Sequence, residues 1–322
     1  MKENLNRSSP VPMMQDSRIY IAGHTGLLGS AILRHLERGG YHRLLLRSRS
    51  ELNLFNQGQT FDFLQTEKPE FVFLCAAKVG GIQYNATHPA DFLQENLSIQ
   101  NHVIEGSRKA GVKRLLFVGS SCIYPKTSRI PITEDQLLEG PPEPTNEAYA
   151  IAKIAGIKMC QYYRRQLACD FISAVPTNLF GINDRYDPET SHVLPALIRK
   201  VHEVRNDSQP EIEIWGTGQP RREFMLSDDC ADALVFLMKH YSRPEPINVG
   251  TGEDKSILEL VDAVASVIGV KVQVRCDPTK PDGIYRKMLD VSKLREIGWT
   301  SGYSLEEGIS IAYKDFLKRL DQ

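Results

Sequence analysis

Gly23-His24-Thr25-Gly26-Leu27-Leu28-Gly29 follows directly on the β-rich run at 18–22 (RIYIA) and leads into a helix-like stretch at 27–37. A short strand, a GxxGxxG turn and a helix together form the pattern of a dinucleotide-binding turn. Glycines let the backbone turn tightly and approach a pyrophosphate, which then sits on the helix N-terminus. The spacing differs from the GxGxxG form, so the strand before and the helix after carry much of the reading.

Working outward, short apolar runs recur at 43–46, 71–77 (FVFLCAA), 114–119 (RLLFVG) and 170–175. Helical patterns at 57–67, 89–111 and 149–167 separate them. This alternation predicts an α/β fold, a Rossmann-type doubly wound parallel sheet with helices on both faces. The rhythm changes after Leu179. Short strands are expected at 212–215, 247–249 and 272–275, and helices at 193–205, 227–239, 256–268 and 304–319. We therefore expect a cofactor domain at 18–178 with a return segment at 226–249. A smaller α/β substrate-binding region is expected from 179–225 and 250–322. Pro125, Pro131, Pro141, Pro142 and Pro144 exclude one continuous helix between 124 and 146. Residues 1–17 lack the roughly 7–15-residue apolar stretch of a signal peptide and are expected to be an unstructured tail.

The 322 residues carry 39 basic and 40 acidic side chains, a net charge of −1. That balance offers no electrostatic footprint for nucleic acid or an anionic membrane. No window reaches the roughly 18 consecutive apolar residues of a membrane span. The cysteines (Cys75, Cys122, Cys160, Cys169, Cys230, Cys276) show no CxxC pair and no zinc spacing. Reduced thiols in a cytoplasmic protein, with no metal, are the expectation.

Three features carry chemistry. After the second strand stand Arg47-Ser48-Arg49, where NAD sites usually place an acid and NADP sites a cation for the 2′-phosphate. Tyr149-Ala150-Ile151-Ala152-Lys153 is YxxxK, and positions i and i+4 share a helix face. The neighbouring ammonium is expected to favour the phenolate and lower the tyrosine pKa, fitting it to exchange a proton with a sugar oxygen. Gly119-Ser120-Ser121-Cys122-Ile123-Tyr124 ends the fourth strand, where side chains face the ligand crevice. Ser120 is expected to hydrogen-bond the reacting oxygen, with Ser121 a backbone-capping residue or the second choice.

With these segments the chain resembles the extended short-chain dehydrogenase/reductases. Among them it is similar to the group that epimerises and reduces GDP-4-keto-6-deoxy-mannose. The resemblance is carried by AGHTGLLGSAI, AAKVGGI, GSSCIYPK, EPTNEAYAIAKIAGIKMC, PTNLFG, SHVLPALIRK, WGTG, NVGTG, KPDG and the RK…LD pair, so it spans nearly the whole chain. It implies an NADPH-dependent enzyme that forms GDP-L-fucose by epimerisation at sugar carbons 3 and 5 and reduction at carbon 4. Ser120, Tyr149 and Lys153 match the reductase triad, and Cys122 and His192 the epimerisation base and acid. Gly23 to Gly29, Asn53, Leu54, Ala76, Ala77, Val118, Gly119, Ser120, Ser121, Tyr149, Lys153, Pro176, Thr177, Asn178, Leu179 and His192 match cofactor contacts. Arg49 matches the NADP-phosphate arginine, with Arg47 beside it. Lys200, Trp215, Arg222 and Asp282 match sugar-nucleotide contacts. A homodimer through the helices at 89–111 and 149–167 is also implied.

The residue chemistry agrees. Two epimerisations beside a ketone need a base on one face and an acid on the other, and a thiol and an imidazole both titrate near neutrality when perturbed. The chain departs from the group at Thr25, Ser227, Ile284-Tyr285 and Lys200, so a related GDP-4-keto-sugar is the alternative substrate. Ser121-Cys122 stand where a 4,6-dehydratase places Asp-Glu, and Arg47 and Arg49 oppose a UDP-sugar 4-epimerase. An intact YxxxK opposes a non-catalytic nucleotide-binding regulator.

Overall fold

The computed structural model describes residues 11–187, 191–280 and 282–320. The chain order is β1 (Ile19–Ala22), α1 (Leu27–Arg38), β2 (Leu44–Leu45), α2 (Gln57–Glu67), β3 (Phe71–Leu74), α3 (Ile82–Thr87), α4 (Pro89–Lys109), β4 (Arg114–Val118), α5 (Glu147–Leu167), β5 (Phe171–Pro176) and β6 (Asn178–Phe180). Then follow α6 (Val193–Val204), β7 (Glu211–Trp215), β8 (Arg221–Arg222), β9 (Phe224–Leu226), α7 (Ser227–His240), β10 (Ile247–Val249), β11 (Lys255–Ser256), α8 (Ile257–Ile268), β12 (Gln273–Asp277), β13 (Arg286–Lys287), α9 (Ser292–Glu296) and α10 (Leu305–Leu320).

The central sheet has six parallel strands in the order β10-β5-β4-β3-β1-β2. Its inner strands read as continuous apolar runs because both faces are covered. Ile19 and Ile21 of β1, with Phe71 and Phe73 of β3, pack beneath α1 and α7. Tyr20 and Ala22, with Val72 and Leu74, turn to the opposite side and meet α2, α4 and α5. The direction of winding reverses between β1 and β3. A crevice therefore opens at their carboxyl ends, where ligands bind in such sheets. A third cluster, including Leu194, Leu197 and Ile198 of α6, Leu260 and Val264 of α8 and Phe316 of α10, forms around β7 and β12.

Gly156 sets how closely α5 lies on the sheet. A Cβ there would fall 2.3 Å from the Phe117 ring, so only glycine permits the approach. Lys153, one helical turn earlier, thereby reaches the end of β4. At the sheet's far end, Arg114 is fully buried and its guanidinium is held by Asp170 and by the Met238 carbonyl at 2.7 Å, joining β4 and β5 to α7.

One expectation needs correction. Residues 11–17 do not form an unstructured tail. Met13 is buried, its carbonyl accepts from the Tyr41 hydroxyl at 3.3 Å, and the Gln15 side chain donates to the Gly39 carbonyl at 2.9 Å. The short run Val11-Pro12-Met13-Met14 is too brief to show a periodic pattern. Residues 1–10 lie outside the described part of the chain. Between 124 and 146 the chain forms short 3₁₀ turns at Glu134–Gln136 and Pro144–Asn146, as its prolines require.

Candidate active site

The GxxGxxG turn closes against the end of β3. Gly23 has φ +87°, and a Cβ there would lie 2.8 Å from the Ala76 amide nitrogen. Gly29 sits in the first turn of α1, where a Cβ would fall 2.0 Å from the Gly23 carbonyl oxygen. Thr25 and Gly26 are exposed at the tip, and Leu27 and Leu28 begin the helix. No side chain caps α1 and no acid occupies its first turn, which leaves its positive end open to a pyrophosphate. His24 Nδ1 is buried without a hydrogen-bond partner among the described residues. The turn therefore fits a dinucleotide: its helix end is uncapped, and one buried polar atom lacks a partner among the described residues.

The two arginines after β2 have different surroundings. Arg47 is committed within the protein: it donates to Glu67 at 2.9 Å and to the Leu46 carbonyl at 2.8 Å, and lies over the Phe63 ring. The Arg49 side chain is 83% exposed and meets Glu95 only at 3.7 Å, so it is the cation free to turn toward a phosphate. Asn53 folds its side chain back onto the Phe55 amide at 3.1 Å, and Leu54 is half-buried beneath it. Ala76 and Ala77 follow β3 beside the turn, held by a reciprocal bond between Asn96 and the Lys78 backbone. Pro176, Thr177, Asn178 and Leu179 leave β5, and the Thr177 amide donates to the Val249 carbonyl at 2.9 Å.

The reactive groups gather where β4 ends. Val118 and Gly119 lead into a 3₁₀ turn at Ser121–Ile123. Ser120 caps that turn by accepting, weakly, from the Cys122 amide at 3.4 Å, so the capping role falls to Ser120 rather than Ser121. Ser121 and Cys122 are buried. Lys153 is buried, donates to the Val118 carbonyl at 2.8 Å, and lies 5.7 Å from the Tyr149 ring centroid. Burial pushes its pKa down to about 8, with Cys75 and Cys122 pulling the other way.

The expected lowering of the Tyr149 pKa does not occur. Burial pushes the phenol up instead, and the nearby Cys122 sulfur adds to the rise. The Lys153 ammonium is turned to a carbonyl and desolvated, so it does not offset this cost. Tyr149 thus stays a protonated phenol, a donor in waiting. The Cys122 thiol is raised by burial and lowered in part by Lys287, Ser120 and Lys153.

His192 is the N-cap residue of α6 and makes no hydrogen bond to Ser120, Cys122 or Tyr149. Crowding by protein atoms, with Arg185 adding repulsion, lowers its pKa although solvent reaches the ring.

Of the sugar-nucleotide candidates, Trp215 ends β7 with 60% of its surface exposed and Lys280 over its ring. Asp282 binds the Thr217 amide at 2.7 Å and its hydroxyl at 2.9 Å. Lys200 donates to the Glu213 carbonyl at 2.8 Å. Arg222 is half-buried on β8, and burial pulls its pKa below the usual value.

Sequence reasoning missed Glu223, which is fully buried. One carboxylate oxygen accepts from the Thr251 and Gly252 amides at 2.7 and 2.8 Å, and the other from the Leu289 amide at 2.8 Å. Its carbonyl accepts from Asn178 at 2.8 Å. This residue fastens β13 and the loop after β10 to the segment leaving β5. The only sequence signal was an acid beside Arg222.

A sheet that winds both ways, an open βα turn and a YxxxK helix over β4 define a nucleotide-dependent enzyme of the extended reductase type. The chain belongs to the NAD dependent epimerase/dehydratase family, whose model matches residues 19–250. It is 51% identical to GDP-L-fucose synthase 1 of Arabidopsis thaliana over 314 residues, covering 97% of each chain. It is 46% identical to GDP-L-fucose synthase of Escherichia coli over 318 residues, covering 96% of this chain and 99% of that one. Its fold matches the GDP-L-fucose synthetase of Naegleria fowleri bound to NADP, with a TM-score of 0.90 at 28% identity over 98% and 97% of the two chains.

Proposed function

We propose that this enzyme converts GDP-4-keto-6-deoxy-D-mannose to GDP-L-fucose with NADPH, by epimerisation at carbons 3 and 5 and reduction at carbon 4. The observation that carries the reading is the meeting of Cys122, Tyr149 and Lys153 at one strand end, in a chain whose near relatives bear that name.

Residues 23–29, Arg49, Asn53, Leu54, Ala76, Ala77, 118–121 and 176–179 hold the cofactor, in a domain of 18–178 plus 226–249. The remaining segments hold the sugar nucleotide. Bound NADPH supplies the hydride for carbon 4. The Cys122 thiolate takes the proton from the carbon beside the ketone, and His192 returns one on the opposite face. Ser120 positions the carbon-4 oxygen, and Tyr149 gives it a proton. Lys153 steadies the nicotinamide ribose and the tyrosine. Arg222 and Lys200 meet the diphosphate, Trp215 offers a face to the base, and Asp282 shapes the loop beneath it.

Running the reaction in deuterium oxide tests this: the product carries deuterium at both carbon 3 and carbon 5. NADPH consumption without deuterium at either carbon would make the chain a reductase of a related GDP-4-keto-sugar. Tyr285, exposed and accepting from the Arg221 amide next to Arg222, favours that second reading.

Arg49→Ala is expected to weaken NADPH binding about tenfold or more and leave NADH binding unchanged. A hydrogen bond to a charged group contributes about 1.5–3 kcal/mol. Arg47→Ala has the smaller effect on cofactor choice, because Arg47 is tied to Glu67. Calorimetric titration with both cofactors checks this, and equal losses for the two would contradict it.

The chain works as a cytoplasmic homodimer, a setting its unpaired thiols support. No helix among the described residues is long and apolar enough to cross a membrane. Ile151 and Tyr162 lie exposed along one face of α5, which packs beside α4, and would be covered by the partner. Ile151→Asp then shifts the sedimentation coefficient from dimer to monomer. A monomer before the substitution would end the dimer assignment.

A further inference from the structure

The glycine turn is held from a distant part of the chain. Asn183, in the loop that follows β6, donates its side-chain amide to the Thr25 carbonyl at 2.7 Å. The same nitrogen lies 3.5 Å from the Ser30 hydroxyl in the first turn of α1. Its backbone has φ +73°, the left-handed region that asparagine, aspartate and glycine enter more readily than other residues.

The loop is anchored independently of the turn it touches. The Asn183 backbone amide donates to the Asp315 carboxylate at 3.0 Å. Arg319 donates to Asn183 Oδ1 at 3.2 Å and to the Asp184 carbonyl at 3.0 Å, and pairs with Asp315 at 2.8 Å. An arginine only donates, so the oxygen of the Asn183 amide must face Arg319 and its nitrogen must face Thr25. Two residues on, the Tyr186 hydroxyl donates to the Ala312 carbonyl at 2.9 Å, and Arg199 of α6 donates to the Tyr186 carbonyl at 3.1 Å. Helices α6 and α10 thus grip the loop, and Asn183 reaches from it to the cofactor turn.

That contact acts on one peptide plane. The Gly26 amide donates to the Gly23 carbonyl at 3.0 Å, while the Thr25 carbonyl accepts from Asn183. The peptide joining Thr25 to Gly26 is therefore fixed at both ends. Both residues are exposed, so packing alone does not hold the plane. The next amides open α1, where they have no intrahelical acceptor and no side-chain cap. These are the donors a pyrophosphate takes up, and their aim follows from the plane before them.

We propose that Asn183 is a positioning residue for the dinucleotide: anchored on α10, it fixes the peptide between Thr25 and Gly26 so that the first amides of α1 face the pyrophosphate. The inference rests on the glycine turn being the pyrophosphate site.

The test is calorimetric titration of N183G and N183D with NADPH, NADH and 2′-AMP. Glycine keeps the left-handed backbone and removes the side chain. Aspartate keeps an oxygen for Arg319 and replaces the donor to Thr25 by an acceptor. Both variants should bind NADPH and NADH about three- to tenfold more weakly, the effect of one hydrogen bond. The loss should be equal for the two cofactors, because the pyrophosphate is common to them, unlike the NADPH-specific loss expected at Arg49. Binding of 2′-AMP, which has the adenosine and its phosphate but no pyrophosphate, should be unchanged; a general disturbance of the fold would weaken it too. Thermal melts establish that each variant is folded, and N183D carries the test if N183G is not. G26A is the control for the site itself: a Cβ there meets the Gly23 carbonyl oxygen at 3.4 Å, an ordinary contact, and puts a methyl group on the exposed tip. It should weaken both dinucleotides and spare 2′-AMP. Unaltered cofactor binding in G26A would remove the pyrophosphate from the turn, and this inference with it. A weakened G26A beside unaltered N183G and N183D, or variants that lose 2′-AMP as much as NADPH, would overturn the role of Asn183 alone.

Discussion

Replacing Tyr149 by phenylalanine is expected to lower NADPH oxidation about 10²–10⁴-fold, the range for losing a positioned general acid. The fold should persist, because the ring keeps its edge contact with Phe92, 6.5 Å between centroids. Reduction of a ketone leaves an alkoxide that needs a proton, and a phenol raised by burial holds its proton until that moment. Deuterium entry at carbons 3 and 5 does not need this phenol and should continue in the variant. The alkaline limb of the reductase profile belongs to Lys153. With its pKa pushed down to about 8, it is mainly charged at neutrality and loses that charge above about pH 8. Reduction should therefore fall as pH rises through that value. Stopped-flow absorbance of NADPH across pH checks both statements, and turnover near the unsubstituted rate in Tyr149→Phe would contradict them.

Cys122→Ser should have the converse effect. A serine hydroxyl is a far weaker acid than a thiol, so no base forms at neutral pH and deuterium entry at both carbons should fall about 10²–10⁴-fold. The substitution is small and the site buried, so Lys153, Tyr149 and the cofactor turn should keep their places. The variant should still oxidise NADPH slowly with the unepimerised ketone, giving a sugar of different stereochemistry at carbons 3 and 5. Proton NMR of substrate in deuterium oxide reads the exchange directly. Undiminished exchange would remove Cys122 from its role.

Elements with a regular pattern were legible in the sequence. The helix at 57–67 and the inner strands match their expected spans closely, because periodicity and glycine turns are local properties. Features set by distant pairing were not. Two-residue strands such as β8 and β13 carry no period, so neither the face shared by Arg222 and Lys287 nor the buried anchorage at Glu223 left a trace. Tyr149 shows the same limit at the level of charge. The i, i+4 lysine is visible in the sequence, but the desolvation that outweighs it depends on how closely Gly156 lets α5 approach Phe117. His192 left no local signal either: it is the N-cap of α6, and its place in the site was carried by the resemblance alone.

The most direct measurement is NADPH consumption on adding GDP-4-keto-6-deoxy-D-mannose, with the product sugar identified. The account predicts stoichiometric oxidation of NADPH and formation of GDP-L-fucose. Bound NADPH that is not consumed, or a product epimerised at neither carbon, would contradict it.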